Sequence, residues 1–400
     1  MFDVAVLGAG AAGMMCAAVA GQRGLRVALV DHASRLAEKI RISGGGRCNF
    51  TNLGTGPANF LSANPHFCRS ALAGYAPADF LALMRRHRLG WHEKHRGQLF
   101  CDEGSEAVIA MLRAECEAGR VHWRMPWRVD EAGREAGGFV LRGPEGEIRA
   151  ARLVVATGGM AIPQLGATDF GLRLARRFGL KVVEPRPALV PLVFDAARWA
   201  PFAGLAGVAL EAGVSAGQGK DRGAFVEDLL FTHRGLSGPA ILQISSYWQP
   251  GEAIVLDLAA GRDLAGELVA AKPGNRQQLH TVLGGLWPRR LADQWLRAAE
   301  HAGQPGLAAL RMADAPDKTL RALGQAIHQW RLVPAGTAGY RKAEVMRGGV
   351  DTRELDQRSL QARAVPGLHF IGEVVDVTGW LGGYNFQWAW ASAMACGRAL

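Results

Sequence analysis

Gly8, Gly10 and Gly13 stand in the spacing G-x-G-x-x-G, and Asp31 lies 23 residues beyond the first of them. That combination is chemistry for a dinucleotide. The first glycine permits a tight turn, the second lets the backbone approach a pyrophosphate, the third lets a helix pack closely on a strand, and the acid reaches a ribose hydroxyl. A second glycine run, "KIRISGGGRCNFTN" from Lys39 to Asn52, sets Ser43, Gly44, Gly45, Gly46, Arg47, Cys48 and Asn49 in succession. It lacks the Gly-Lys-Ser/Thr ending of a nucleotide-phosphate loop and offers no metal-ligand cluster. Cys48 has two readings: a thiol that delivers a proton as a general acid, or a small residue packed beneath a cofactor.

The elements that must hold these residues are readable. "DVAVLGAGAAGMMCAAVAGQRGLRVALVD" reads as a buried strand, a glycine turn, a helix of small residues and a second strand ending in Asp31. The helix N-terminus then faces the phosphates. After Asp31 an NAD-type fold would continue into a third strand, whereas His32 opens a loop rich in glycine and basic groups, which favours FAD. "ARLVVATGG" is an apolar strand that delivers Thr157 and Gly158 to the same region. "GLHFIGEVVDVTGWLGGYNFQWAWASAMACGRAL" reads as a strand, an acidic turn with Gly372, Glu373 and Asp376, a loop with Gly382, Gly383, Tyr384 and Asn385, and a closing helix. The free N–H groups at that helix start suit the anionic edge of a reduced flavin. Trp388 and Trp390 read as core.

The expected fold class is α/β: a Rossmann-like FAD-binding domain built from residues 1–184 and 341–400, with an inserted substrate domain over 185–340. The insert reads as β-rich over 185–275 and as a helical cap over 276–340. The cleft between the two is where a substrate would be expected. No second G-x-G-x-x-G occurs, so NAD(P)H, as an electron donor, would bind transiently in the cleft; another electron source, or transfer of electrons to oxygen, is equally open to the sequence.

Composition limits the function classes. With 400 residues and 49% hydrophobic content the chain can bury two cores. No run of eighteen apolar residues occurs and the first residues lack a signal-peptide pattern, so the expectation is a cytoplasmic protein without a membrane partner. The six cysteines form no C-x-x-C pair, so neither a metal site nor a disulfide framework is expected. Lys and Arg exceed Asp and Glu by 46 to 36, a net charge of +10 that would attract polyanions. Two segments concentrate it: "MRRHRLGWHEKHRGQLF" and "RVHWRMPWR" interleave basic and aromatic residues, a pattern that suits phosphates and unpaired bases and equally a solvated helix face. His233 and Arg234, in "FTHRGLSGP", are either substrate-facing or part of a hinge strand.

The motifs Gly8 to Gly13, "SGGGRCNFTN", "VVATGG", "FTHRGLSGPAIL" and "GEVVDVTGWLGGYNFQWAWASA" together resemble the RdsA/BaiN-type family of FAD-dependent oxidoreductases, which includes bacterial ribosomal RNA dihydrouridine synthases. The resemblance runs along essentially the whole chain. It implies that Gly8, Gly10, Ala11, Ala12 and Gly13 hold the FAD pyrophosphate and Asp31, where glutamate is common, the ribose. It further implies that Lys39 and Ser43 to Asn49 wrap the cofactor, that Val129 meets adenine through its backbone, and that Glu373 or Asp376 contacts the ribityl chain. Met346 stands where the family usually has threonine, so a hydroxyl contact is missing there. The implied activity is NAD(P)H-driven reduction of a uridine in large-subunit (23S) ribosomal RNA. A small-molecule flavin oxidoreductase, reducing an alkene or oxidising an amine, and a non-catalytic flavin-containing RNA-binding protein are the alternatives.

Overall fold

Val4 to Leu7 are buried on both faces of the strand Phe2–Leu7, as a parallel strand covered on two sides requires. It lies between Val27–Val30 and the second half of the long strand Gly146–Val155, parallel to both. His122–Arg124 extends the sheet beyond Val27–Val30, and Leu368–Phe370 extends it beyond Gly146–Val155, again in parallel. The first half of Gly146–Val155 instead continues into an antiparallel pair of strands, Gly138–Gly143 and Glu131–Glu135. The helices Ala11–Gln22, Ser105–Ala118 and Tyr384–Ala399 pack together in this part of the chain.

The computed structural model describes residues 1–219, 222–301, 303 and 305–400. The chain divides into two compact units: Met1–Pro187 with Glu344–Leu400, and Ala188–Ala343. The first unit holds the parallel sheet and a smaller antiparallel sheet of Asn49–Asn52, Gln98–Cys101 and Trp91–Glu93. Its Rossmann-like topology departs from the sequence reading at one strand. The place beside Val27–Val30 is filled, and by His122–Arg124 from the basic segment "RVHWRMPWR".

The second unit is built on an antiparallel sheet in the order Trp330–Leu332, Ile254–Asp257, Ala209–Ala216, Gly223–Thr232, Gly235–Ser237, Leu192–Val193 and Gly336–Thr337. The helices Leu264–Ala270, Leu279–Leu286, Arg289–His301 and Asp317–His328 close a core that includes Trp199, Phe231, Trp287 and Leu291. Helix begins earlier than the sequence periodicity suggests, because the Asp263 side chain accepts from the Gly266 N–H and caps the helix Leu264–Ala270. Likewise Trp330–Leu332 and Gly336–Thr337 are strands within the stretch read as helical.

Candidate active site

The first glycine turn leaves no room for side chains where it touches the fold. A Cβ on Gly13 would lie 1.8 Å from the Gly8 carbonyl oxygen, and one on Gly8, at φ +102°, would lie 2.4 Å from the Ala156 oxygen. A Cβ on Gly10 would meet nothing within 4 Å. Gly10 therefore faces open space at the start of the helix Ala11–Gln22, whose first turn carries no acid. Free N–H groups and a bare backbone are what a pyrophosphate needs.

Asp31 works on this turn directly. Its carboxylate accepts from the Ala9 N–H at 2.7 Å and from the Ala33 N–H at 2.8 Å. The short acid thus holds the glycine turn itself, and the exposed His32 ring stands 3.6 Å from it. Beside them opens a cavity of about 540 Å³ whose lining includes Gly8, Asp31, His32, Val129, Thr157 and Arg173. Trp127 closes one side of it, buried, with its backbone N–H donating to the Asp31 carbonyl at 2.7 Å. One of the two tryptophans of the second basic segment is therefore a cavity wall. The Thr157 hydroxyl oxygen is buried without a hydrogen-bond partner, and Gly158 follows it at φ +72°.

The second glycine loop follows a short helix, Glu38–Ile42, and turns through Gly44, Gly45 and Gly46 at φ +57°, +67° and +87°. Arg47 is exposed and Cys48 is fully buried, with φ +53°. Burial pushes the Cys48 thiol up to about 12, against a smaller opposing hydrogen bond with Ser43. The sulfur packs inside the loop and meets no solvent. Asn49, in the amide orientation that satisfies its neighbours, accepts from the Gly383 N–H at 3.3 Å and donates to the Leu99 carbonyl at 3.1 Å.

Glu373 and Asp376 sit in different settings. Glu373 pairs with Lys39 at 2.9 Å and accepts from the Met346 N–H at 2.9 Å. Asp376 is buried, accepts from the Ala63 N–H at 2.8 Å, and has its carboxyl pushed above the usual range by that burial. Gly372 donates its N–H to the Ser392 hydroxyl at 3.0 Å. At the last loop, a Cβ on Gly383 would lie 2.3 Å from the Thr51 oxygen, so the loop presses onto the strand Asn49–Asn52. Asn385 ties the loop down through Gly379 and Trp380, at 2.8 to 3.2 Å. Tyr384 opens the helix Tyr384–Ala399, in which Trp388 and Trp390 are buried.

The structure brings the sequence-selected residues into one continuous zone of the first unit. A Cβ on Gly372 would lie 3.0 Å from Ala12, and one on Gly159 would lie 2.5 Å from the Glu373 carboxylate. Lys39–Glu373 and Asn49–Gly383 join the second glycine loop to the C-terminal loops. Asn52 was not among the selected residues, yet its amide donates to the carbonyls of Arg96 at 3.2 Å and Gly382 at 3.0 Å. Its position at the end of "GGGRCNFTN" was its only sequence signal. His233 and Arg234 are exposed at a turn of the second unit. Among the described residues, no group of three or more His, Cys, Asp or Glu is gathered to hold a metal ion.

An open glycine cradle, a large cavity at the acid-ended strand and an unpartnered hydroxyl in its wall fit FAD. The class these features define is an FAD-dependent oxidoreductase with a Rossmann-like fold. The model of the HI0933-like protein Rossmann domain matches residues 2–399, and the chain belongs to that family. It is 47% identical over 400 residues to the ribosomal RNA dihydrouridine synthase of Escherichia coli (strain K12), covering 100% of this chain and 98% of that one. Its identity to the Haemophilus influenzae protein of the same name is 43%, with 99% and 97% covered. It is 30% identical to the 3-dehydro-bile acid delta(4,6)-reductase of Clostridium scindens, covering 100% of this chain and 99% of that one.

Proposed function

We propose that this protein reduces a uridine of large-subunit ribosomal RNA to dihydrouridine, with NAD(P)H as the electron source. The observation that carries the reading is the near-complete coverage, at 47% and 43% identity, of two proteins named ribosomal RNA dihydrouridine synthase. In this reading Gly8, Gly10, Ala11, Ala12 and Gly13 hold the FAD pyrophosphate through backbone N–H groups. Val129, Thr157 and the cavity around Asp31 and His32 take the adenosine end. Lys39, Ser43 to Asn49, Gly372, Glu373 and Gly382 to Asn385 hold the remainder, while Asp376 braces the loop that carries Glu373. When bound, FAD supplies hydride chemistry at its ring system.

The net change is addition of one hydride and one proton across the C5–C6 double bond of uracil, while NAD(P)H is oxidised to NAD(P)⁺. A base inside a duplex must leave its stack for that chemistry. Lys39 holds the Glu373 carboxylate in place, and Glu373 in turn fixes the Met346 backbone. Cys48, with its buried thiol, serves in this reading as a packing residue that shapes the glycine loop and is not the donor of the C5 proton. The second unit, residues 188–343, serves as the substrate domain, and the cytoplasm is the compartment in which the RNA is met.

The test is reconstitution. Purified FAD-loaded protein is incubated with NADPH and large-subunit RNA from cells lacking the gene, and the RNA is digested for nucleoside mass spectrometry. The expected result is one new dihydrouridine and oxidation of a stoichiometric amount of NADPH. Oxidation of NADPH by oxygen alone, with no gain of dihydrouridine, would move the protein to small-molecule chemistry.

A further inference from the structure

The hairpin of Trp91–Glu93 and Gln98–Cys101 carries exposed His92, Lys94, His95 and Arg96, and the helix Pro77–Arg86 leads into it through exposed Arg85, Arg86 and Arg88. Each of the nearby acids is held by a hydrogen bond or an ion pair. Glu93 accepts from the Gly97 N–H at 2.8 Å, Glu103 from the Gly90 N–H at 3.1 Å, Asp102 pairs with His92 at 2.6 Å, and Glu115 pairs with Arg86 at 2.8 Å. Arg85 and Lys94 instead lie over aromatic rings, at 5.1 Å from Trp91 and 5.5 Å from Phe100. Trp91 and Phe100 thus brace cations instead of offering bare faces for base stacking. A fixed array of cations over aromatics suits phosphates, whose recognition is insensitive to sequence.

The position of this array gives it meaning. The hairpin strand Gln98–Cys101 pairs with Asn49–Asn52, and the Leu53 N–H donates to the Gly97 carbonyl at 2.8 Å. Phe100, which carries Lys94 on its ring, would meet a Cβ on Gly44 at 2.7 Å, so it underlies the second glycine loop. The single side chain of Asn52 hydrogen-bonds both the hairpin turn at Arg96 and the Gly382 carbonyl at the start of the C-terminal loop.

The geometry points to the Trp91–Cys101 hairpin, with Arg85 and Arg88 at its base, as the surface on which the phosphate backbone of the substrate RNA docks beside the Gly382–Gly383 loop. This rests on the RNA reading of the active site. Asn52 then couples docking to the site, because it fixes the hairpin turn and the loop in one register. Base identity is read elsewhere; the hairpin supplies orientation and a salt-dependent share of affinity.

The test uses the FAD-loaded protein with Arg88→Gln and Lys94→Gln combined, and deproteinised large-subunit ribosomal RNA from cells lacking the gene. Binding is measured across a salt series and turnover at saturating RNA. The double variant is expected to bind roughly tenfold more weakly at low salt, with a log–log salt slope shallower by about two, one for each lost phosphate contact. FAD content and NADPH-dependent flavin reduction stay at the parent level, and Arg88→Lys with Lys94→Arg restores binding. An unchanged affinity and slope in the double variant, beside a parent protein that binds and modifies the RNA, overturns the docking surface and leaves the RNA reading intact. A parent protein that shows no salt-dependent RNA binding overturns both together.

Discussion

Cys48 adopts a left-handed backbone, φ +53°, and its sulfur is shut away from solvent between the glycine loop and the strand that follows. A thiol held at about 12 is a poor acid and an unreactive nucleophile near neutral pH. Cys48→Ala is accordingly expected to keep FAD bound and to retain turnover within about threefold, at a cost of roughly 1 kcal/mol in stability from the lost sulfur packing. Thermal unfolding and single-turnover rates check both halves; a drop of a hundredfold or more in rate with normal FAD content would assign Cys48 to proton transfer. The sign of the pH dependence also follows. Burial raises Cys48 and Cys116 from 9.0 to about 12, so the folded state keeps protons that the unfolded state has released. Stability present below pH 9 is therefore lost progressively as pH rises toward 12. Unfolding midpoints measured from neutral to alkaline pH should fall, and fall less steeply in Cys48→Ala. Asp31 gives a second residue-scale expectation. Asp31→Ala leaves the Ala9 and Ala33 N–H groups without their acceptor, a loss of about 1–3 kcal/mol, and should show as weakened FAD affinity before any loss of fold.

The glycine turn shows how the elements divide the work. A side chain at Gly13 would strike the Gly8 carbonyl, whereas one at Gly10 has open space within the protein. Gly13→Ala should therefore unseat the helix Ala11–Gln22 and cost solubility. Gly10→Ala should keep the circular dichroism spectrum and melting temperature of the apoprotein while losing FAD, as measured by flavin absorbance. Equal FAD retention in both variants would contradict the cradle. This part of the fold was legible in the chain because its physics is local: glycines at three fixed spacings, a continuous apolar strand and an acid at the next strand's end. Trp388 and Trp390 were legible as core for a similar reason, and both are buried. The bracing contacts were not legible. Lys39 meets Glu373 across 334 residues of sequence, and Asn52 meets Gly382 across 330. The strand His122–Arg124 shows in the sequence only as a basic patch, because three residues at a sheet edge carry too short a pattern to register as a strand.

At the scale of the molecule, a net charge of +10 is distributed unevenly: Arg88 and Lys94 are exposed at the hairpin, while Arg142, Arg149 and Arg177 pair with acids. Total charge was readable from composition. Which cations are spent on ion pairs was not, since partners such as Arg177 and Glu131 lie far apart in sequence. RNA affinity of the whole protein is therefore expected to fall steeply between 50 and 200 mM salt, on the order of tenfold or more for a few phosphate contacts, while FAD stays bound. The division into Met1–Pro187 with Glu344–Leu400 and Ala188–Ala343 leaves every residue selected for FAD in the first unit. No helix among the described residues is long and apolar enough to cross a membrane. In the proposed function the cofactor site of the first unit reduces a uridine in large-subunit ribosomal RNA. The most direct measurement of that reduction is nucleoside mass spectrometry of that RNA from a gene-deletion strain, complemented either with the parent gene or with Gly10→Ala. One dihydrouridine is expected to disappear on deletion, to return with the parent and to stay absent with Gly10→Ala. Unchanged dihydrouridine in the deletion strain would contradict it.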